Sequence, residues 1–196
     1  MKYPGITYFP IEAADESCQD LKQFFHDCNK FIHDARMSGG AVLVHCLAGI
    51  SRSVTLTAAY LTTVTSHSWT VALCAIQQSR QIAKPNRGFR EQLDEYQQYD
   101  LQKERSWFHQ TYGLNEFNDE TAVKILADQY LAAEKEKEAR QMKFMEKSSL
   151  EPTASHGSFS SDLPLNKHEA MADSTTTMNA LRKKRQGGTF FEDSAG

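Results

Sequence analysis

The sequence predicts an α/β domain, and the alternation of apolar patterns along its first third is the main reason. Residues 41–44 form an apolar run with the length of a buried strand, and residues 6–11 form a second one. Pro10 cannot donate to a ladder, so that strand is expected at a sheet edge or to end there. Between the two, apolar residues recur at helical spacing over 21–35, until a Gly-Gly pair ends the helix. Together they predict a strand–helix–strand unit.

Most of the remaining chain has a helical pattern. Residues 17–20 fit a capping box that would open the first helix. The period is helical again over 53–65, over 69–81 and from Gly88 onward. A pattern over 118–147 is amphipathic at first and then laced with opposite charges. Later residues are rich in Ser, Thr, Pro, Gly and Asn, which predicts disorder. The expected parts are a domain, a charged helical extension and a disordered tail, at 1–116, 117–147 and 148–196.

Composition restricts the classes of function. The chain of 196 residues has a formal net charge of −3, which gives no bulk attraction to nucleic acid. No apolar run is long enough to cross a membrane, and position 2 lacks the Gly that myristoylation needs, so no membrane anchor is expected. Four cysteines at irregular spacing suit a reducing cytosol. The basic run 182–185 is either a nuclear or lipid address or a solvated charge run, so the expected location is cytoplasmic, with the nucleus left open.

The stretch 45–53, His-Cys-Leu-Ala-Gly-Ile-Ser-Arg-Ser, joins the second predicted strand to a helix. Strand, tight loop and helix in this order turn consecutive N–H groups and a helix N-terminus toward one anion. That field favours the thiolate of Cys46, which should therefore be nucleophilic at neutral pH. Arg52 returns beside the cysteine and can hold two phosphate oxygens at once. Ser53 can donate to the sulfur and help it leave in a second step.

The backbone of this loop is the predicted phosphate cradle. Its amides can hold three equatorial phosphate oxygens, and Gly49 allows backbone geometry that a side chain would hinder. His45 is better placed to orient the loop than to act as a base. The expected substrate-binding residues are Leu47, Ala48, Gly49, Ile50, Ser51 and Arg52. One alternative is a buried structural cysteine, which the glycine, the arginine and the following helix argue against. The other is a rhodanese-like sulfur carrier, which the preceding His and the following Gly-x-x-Arg-Ser argue against.

A second catalytic group is predicted in the loop after the first strand. If both strands run parallel in one sheet, Asp15 and Cys46 lie at the same edge of the domain. A carboxylic acid there could protonate the leaving oxygen and then deprotonate the water that hydrolyses the phosphocysteine. Glu12 and Glu16 compete with Asp15 on geometry alone. The histidines show no metal-ligand spacing, and this reaction needs neither a metal nor a cofactor.

The stretch 45–53 resembles the signature loop of cysteine-dependent protein phosphatases, in the Ala-Gly-Ile-Ser-Arg-Ser form of the dual-specificity class. Two further stretches match that class: Ala-Tyr-Leu at 59–61, and Pro-Asn-x-Gly-Phe-x-x-Gln-Leu at 85–93. The resemblance runs over residues 3–127. It is greatest to the small atypical enzymes exemplified by the Jun-kinase-pathway-associated phosphatase and its VHY-type sibling.

The resemblance implies a mostly parallel sheet flanked by helices. It also implies hydrolysis of phosphotyrosine and of phosphoserine or phosphothreonine through a phosphocysteine. Asp15 matches the general acid, and Asn86 matches an asparagine that braces the loop, although an ordinary turn asparagine is the alternative. The implied substrates are phosphorylated proteins, including kinases of the MAP-kinase pathways. A phosphoinositide phosphatase is less favoured, because Leu47, Ala48 and Ile50 bring no cation for a multiply charged headgroup.

The amino terminus departs from the family pattern. Relatives carry several dozen residues before the position of Tyr3, including a strand that lies between the two predicted here. We therefore expect an amino-terminally shortened domain with few strands, low stability of its own and no myristoylated terminus. The alternative function is that of an inactive phosphate-binding or regulatory fragment.

Overall fold

Helices make up most of the computed structural model, which describes residues 3–149. In chain order they are α1 (Phe25–Met37), α2 (Arg52–Val64), α3 (Trp69–Ser79), α4 (Arg87–Glu95), α5 (Leu101–Tyr112) and α6 (Asp119–Ser149). A 3-10 turn, Lys22–Phe24, leads into α1, and a π-helical turn, Tyr96–Asp100, joins α4 to α5. The predicted tail 148–196 lies outside the described residues except for its first two positions, which end α6. The basic run 182–185 also lies outside them.

No strand pairing is present within residues 3–149, so the predicted parallel sheet is not confirmed. Residues 41–44 keep the alternation of a strand, since Val42 and Val44 are half-buried while Leu43 is 83% exposed. A strand needs a neighbour to complete its ladder of hydrogen bonds, and a local sequence pattern cannot supply one. For this reason the apolar runs at 6–11 and 41–44 predicted elements that the described part of the chain does not form.

Helix α2 is the centre of the helical body and contacts α1, α3, α4, α5 and α6. Ala58 and Ala59 on α2 are fully buried, and small side chains at these positions allow close packing. The surrounding core is formed by Leu21, Phe25, Leu56, Trp69, Phe89, Leu93, Tyr96 and Leu101. Because α2 is packed on several sides, the loop that enters its N-terminus has a rigid support.

The start of the first helix differs from the prediction. The capping box at 17–20 does not form, and helical structure begins at the turn Lys22–Phe24. The N–H groups of Leu21 and Lys22 instead donate to Oε1 of Gln92, at 2.8 and 2.9 Å. A side chain from α4 thus satisfies two donors at the start of the first helix, and Oδ1 of Asp20 accepts from the N–H of Gln23 at 3.2 Å.

The long C-terminal helix predicted over 118–147 is confirmed as α6. Its first half packs on α3, where Val123 and Ala127 meet Ala75. Arg36 on α1 holds the start of α6 through two hydrogen bonds of 2.8 Å to the carboxylate of Asp119. None of the described helices is both long and apolar enough to cross a membrane.

Candidate active site

Cys46 lies just before α2, at the position where the loop predicts a nucleophile. Its Sγ is 3.3 Å from the Oγ of Ser53. Burial acts to raise the pKa of the Cys46 thiol, but the Ser53 hydroxyl and the N–H groups of Ser53, Gly49 and Ile50 outweigh it and lower the pKa to about 7. By contrast, burial raises the pKa of Cys28 to about 12. The thiolate of Cys46 is therefore far more populated at neutral pH than that of an ordinary cysteine.

Arg52 occupies the first position of α2 and reaches the loop that carries Asp15. Its Nη1 donates to the carbonyl of Ala13 at 3.0 Å, and its Nε lies 3.8 Å from Oδ2 of Asp15. This Nε is buried and has no hydrogen-bond acceptor among residues 3–149. A buried guanidinium donor without an acceptor is costly unless an anion binds there, so Arg52 is available to a phosphate oxygen.

Residues 45–53, the predicted phosphate cradle, are called the phosphate loop below. Asn86 links this phosphate loop to the predicted acid, Asp15. Its backbone N–H donates to Oγ of Ser51 at 3.1 Å, and its Nδ2 donates to Oδ1 of Asp15 at 3.0 Å. Its own Oδ1 accepts from the N–H of Phe89 at 3.0 Å and so caps α4. One residue therefore touches both halves of the site and fixes the start of a helix.

The competing acids lie apart from these contacts. Glu12 is exposed, and Glu16 contacts the Sγ of Cys18 at 3.7 Å. Within the described part of the chain, neither pairs with Arg52, whereas Asp15 does. The geometry thus favours Asp15 among the three carboxylates. Among residues 3–149 no group of three His, Cys, Asp or Glu side chains is placed to hold a metal ion.

One face of α4 holds the loop that carries Asp15. A Cβ added at Gly88 would lie 1.9 Å from the carbonyl oxygen of Ser17, so that backbone can approach only a glycine. Next along this face, the Gln92 side chain accepts from two N–H groups and donates to the carbonyl of Gln19 at 2.8 Å. The segment after Asp15 is thus held against α4.

Comparison with known proteins places this arrangement in a family. The family described as the dual specificity phosphatase catalytic domain matches residues 1–99. The chain belongs to that family. Dual specificity protein phosphatase 22 of Xenopus tropicalis is 46% identical over 64% of this chain and 60% of its own length. The human protein of that name is 44% identical over 63% of this chain and 67% of its own length.

A second relative and a solved structure agree with this assignment. Dual specificity protein phosphatase 15 of Mus musculus is 45% identical over 62% of this chain and 52% of its own length. A crystal structure of DUSP15 is 42% identical, with a TM-score of 0.55, and covers 58% of this chain and 73% of that one. Phosphatases 22 and 15 are the Jun-kinase-pathway-associated and VHY-type proteins, so the predicted subgroup and the phosphatase fold are confirmed. The chain spans between 52% and 67% of the length of these three relatives.

The other predicted residues of the stretch 45–53 differ in their exposure to solvent. Ser53 and Ser51 are buried, whereas Leu47 is 94% exposed and Ile50 lies at the surface. His45 is exposed, and its ring makes no hydrogen bond within residues 3–149. The predicted role of His45 in orienting the loop therefore stays a prediction.

The sequence reasoning missed three residues that hold the site. Gly88 and Gln92 belong to the family segment 85–93, and their spacing of four residues puts both on one face of the helix that Asn86 caps, which could have indicated a shared role. Arg80 has no such signal. It lies just beyond α3, and its guanidinium donates to two carbonyls of the phosphate loop.

Proposed function

We propose that this chain is a protein phosphatase that hydrolyses phosphotyrosine and phosphoserine or phosphothreonine through a phosphocysteine. The observation that carries the proposal is the set of donors around Cys46. The hydroxyl of Ser53 and the loop N–H groups stabilise its thiolate and lower the pKa of the thiol to about 7. A nucleophile of this kind at a helix N-terminus, beside an arginine with a free buried donor, is suited to attack on a phosphate ester.

In the first step the Cys46 thiolate attacks phosphorus, and an S–P bond forms as the P–O bond to the alcohol breaks. Arg52 and the loop N–H groups hold the negative charge that spreads over the equatorial oxygens. Asp15 protonates the departing oxygen. In the second step Asp15 takes a proton from water, whose oxygen attacks phosphorus while the S–P bond breaks. The hydrogen bond from Ser53 stabilises the thiolate as it leaves.

The mouth of the site favours phosphoproteins over lipid headgroups. Leu47 and Ile50 are exposed at the loop, and neither brings a cation for a second phosphate. The proposed substrates are therefore phosphorylated proteins of the cytoplasm and nucleus, including kinases of the MAP-kinase pathways. The strand-like alternation of residues 41–44 and the similarity to DUSP15 support the further proposal that residues 6–11 and 41–44 serve as strands of a parallel sheet.

A second candidate function is phosphate binding without turnover. The exposure of Leu43 favours it. Leu43 is 83% exposed, so the segment leading into Cys46 packs on the core through one face only. A nucleophile on a loosely supported segment could bind a phosphorylated peptide and release no phosphate.

Substitution of Cys46 tests the main proposal. With a phosphotyrosine peptide, Cys46→Ser should abolish phosphate release, because serine is not ionised at neutral pH. Cys18→Ser, which changes an exposed cysteine, is the matched control and should retain the rate of the unsubstituted protein. Phosphate release by the Cys46→Ser protein would overturn the proposal. Retention of the peptide by the unsubstituted protein without phosphate release would support the second candidate.

Asp15→Ala tests the assigned acid. Loss of a general acid should lower the turnover of the phosphotyrosine peptide by roughly 10²–10⁴-fold. Glu12→Ala, at an exposed carboxylate of the same loop, should leave it unchanged. The opposite ranking of the two variants would move the acid to Glu12.

A further inference from the structure

Three consecutive carbonyls of the phosphate loop point toward the segment that follows α3. Arg80 donates from Nη2 to the carbonyl of Ala48 at 2.9 Å and from Nε to that of Gly49 at 2.7 Å. The backbone N–H of Lys84 donates to the carbonyl of Ile50 at 2.8 Å. The outer side of the loop is therefore held by residues 80–84.

Peptide geometry connects these outer contacts to the nucleophile. In a trans peptide the C=O and N–H groups point in opposite directions from one rigid plane. The peptide that offers its carbonyl from Ala48 therefore turns the N–H of Gly49 the other way, and the next peptide does the same with the N–H of Ile50. These two N–H groups are among the donors that reach the sulfur of Cys46.

Gly49 makes the contact with Arg80 sterically possible. Its φ is +64°, and a Cβ added there would lie 2.9 Å from Nη2 of Arg80. The guanidinium thus occupies the place that a side chain at position 49 would need. The glycine of the signature loop and Arg80 consequently form one structural unit.

We propose that Arg80 is a positioning residue of the phosphate loop, which aims the N–H groups of Gly49 and Ile50 at the thiolate and at the bound phosphate. The proposal rests on the phosphatase function proposed above and adds a residue that does not touch the phosphate itself. Its action depends on the fork of the guanidinium, because two carbonyls are held by two nitrogens of one rigid plane. A positive charge at the same place would not reproduce it.

The test measures the ionisation of Cys46 without any substrate. The rate of alkylation of Cys46 by iodoacetamide is followed by mass spectrometry between pH 5 and 9 in the full chain, because only the thiolate reacts. Arg80→Ala should raise the pKa of Cys46 by about one unit, toward the value of about 8.5 of an ordinary cysteine. The alkylation rate below pH 6 should fall about tenfold.

Arg80→Lys separates geometry from charge. Lysine keeps the cation but cannot hold two carbonyls with a rigid fork, so the pKa of Cys46 should rise in this variant too. A Cys46 pKa equal to that of the unsubstituted protein in Arg80→Lys would overturn the proposal and assign the effect to charge. The control is Arg87→Ala, which removes an arginine that is 84% exposed and paired with Glu91, and which should leave the pKa unchanged.

Folding and activity are read separately. The thermal midpoint of each variant is measured, and Arg80→Lys, which keeps the aliphatic stem and the charge, decides the outcome where Arg80→Ala does not fold. If the chain releases no phosphate but Arg80→Lys raises the pKa of Cys46, the proposal on Arg80 stands and the phosphatase function fails. If the chain releases phosphate but Arg80→Lys leaves the pKa of Cys46 unchanged, the phosphatase function stands and the proposal on Arg80 fails.

Discussion

Gly88→Ala is expected to separate the acid from the nucleophile, because Gly88 lies where the Asp15 loop meets α4. The added methyl group would lie 1.9 Å from the carbonyl oxygen of Ser17. Carbon and oxygen atoms that are not bonded approach to about 3 Å or more, so the two backbones must separate by about 1 Å. The obstacle is a main-chain carbonyl rather than a flexible side chain, and the loop must move as a unit.

A shift of this size acts mainly on proton transfer. A misplacement of about 1 Å can lower a rate by roughly 10²-fold. The loss of kcat in Gly88→Ala should be large with phenyl phosphate, because its leaving group needs a proton. It should be small with a fluorinated umbelliferyl phosphate, because that leaving group is stable as an anion. Cys46 should keep its reactivity toward iodoacetamide, because the loop that holds it is not displaced. The measurement is the ratio of kcat for the two substrates.

Gly113→Ala is the matched control for backbone strain. Gly113 has a φ of +80° and no atom within 4 Å of an added Cβ, so the substitution costs stability without a clash. Both variants should lower the thermal midpoint, but only Gly88→Ala should change the ratio of the two rates. Equal losses of kcat on both substrates, which leave their ratio unchanged, would refute the role of Gly88 in holding the loop that carries Asp15.

Three further outcomes are expected. Ser53→Ala should raise the pKa of Cys46 above about 7, because the thiolate loses a donor at 3.3 Å, and phosphocysteine should accumulate in rapid-quench experiments. Absence of both effects would remove Ser53 from the mechanism. In the unsubstituted protein, kcat/KM for the umbelliferyl ester, whose leaving group needs no proton from Asp15, should rise as pH increases toward about 7 and then level after correction for substrate ionisation, since the thiolate forms over that range. An ascending limb centred near 8.5 would contradict the lowered pKa of Cys46. Asn86→Ala should lower kcat for phenyl phosphate more than for the umbelliferyl ester, because Asp15 loses a donor at 3.0 Å; a larger loss with the umbelliferyl ester would contradict this.

The sequence predicted the local geometry of the loop 45–53 better than the framework around it. The thiol of Cys46 and the hydroxyl of Ser53 are seven positions apart in the chain, and the short loop between them brings Sγ to 3.3 Å from Oγ. Helical periodicity predicted α2, α3 and α6 with small errors at their ends. These features depend on contacts between near neighbours in the chain, which a pattern can represent.

The features that local sequence patterns did not predict involve partners that are distant in the sequence. The start of the first helix was placed at a local capping box, whereas the N–H of Leu21 is satisfied by Gln92, 71 positions later. Strands need a neighbour, and neither apolar run has one within residues 3–149, so the parallel sheet stays a prediction. Arg80 is exposed and follows no pattern, so only the three-dimensional contact with the carbonyls of the loop indicates its role.

One continuous stretch, residues 80–92, contacts both the loop of the proposed nucleophile and the loop of the proposed acid, in addition to the direct contact of Arg52 with Ala13. Its first part holds the outer side of the phosphate loop through Arg80. Its middle contacts both loops, because the N–H of Asn86 reaches Ser51 and its side chain reaches Asp15. Its last part, on α4, fixes the chain around Ser17 through Gly88. Because different residues of this stretch contact the two loops, we expect substitutions at Arg80 to alter the ionisation of Cys46 and substitutions at Gly88 to alter proton transfer by Asp15.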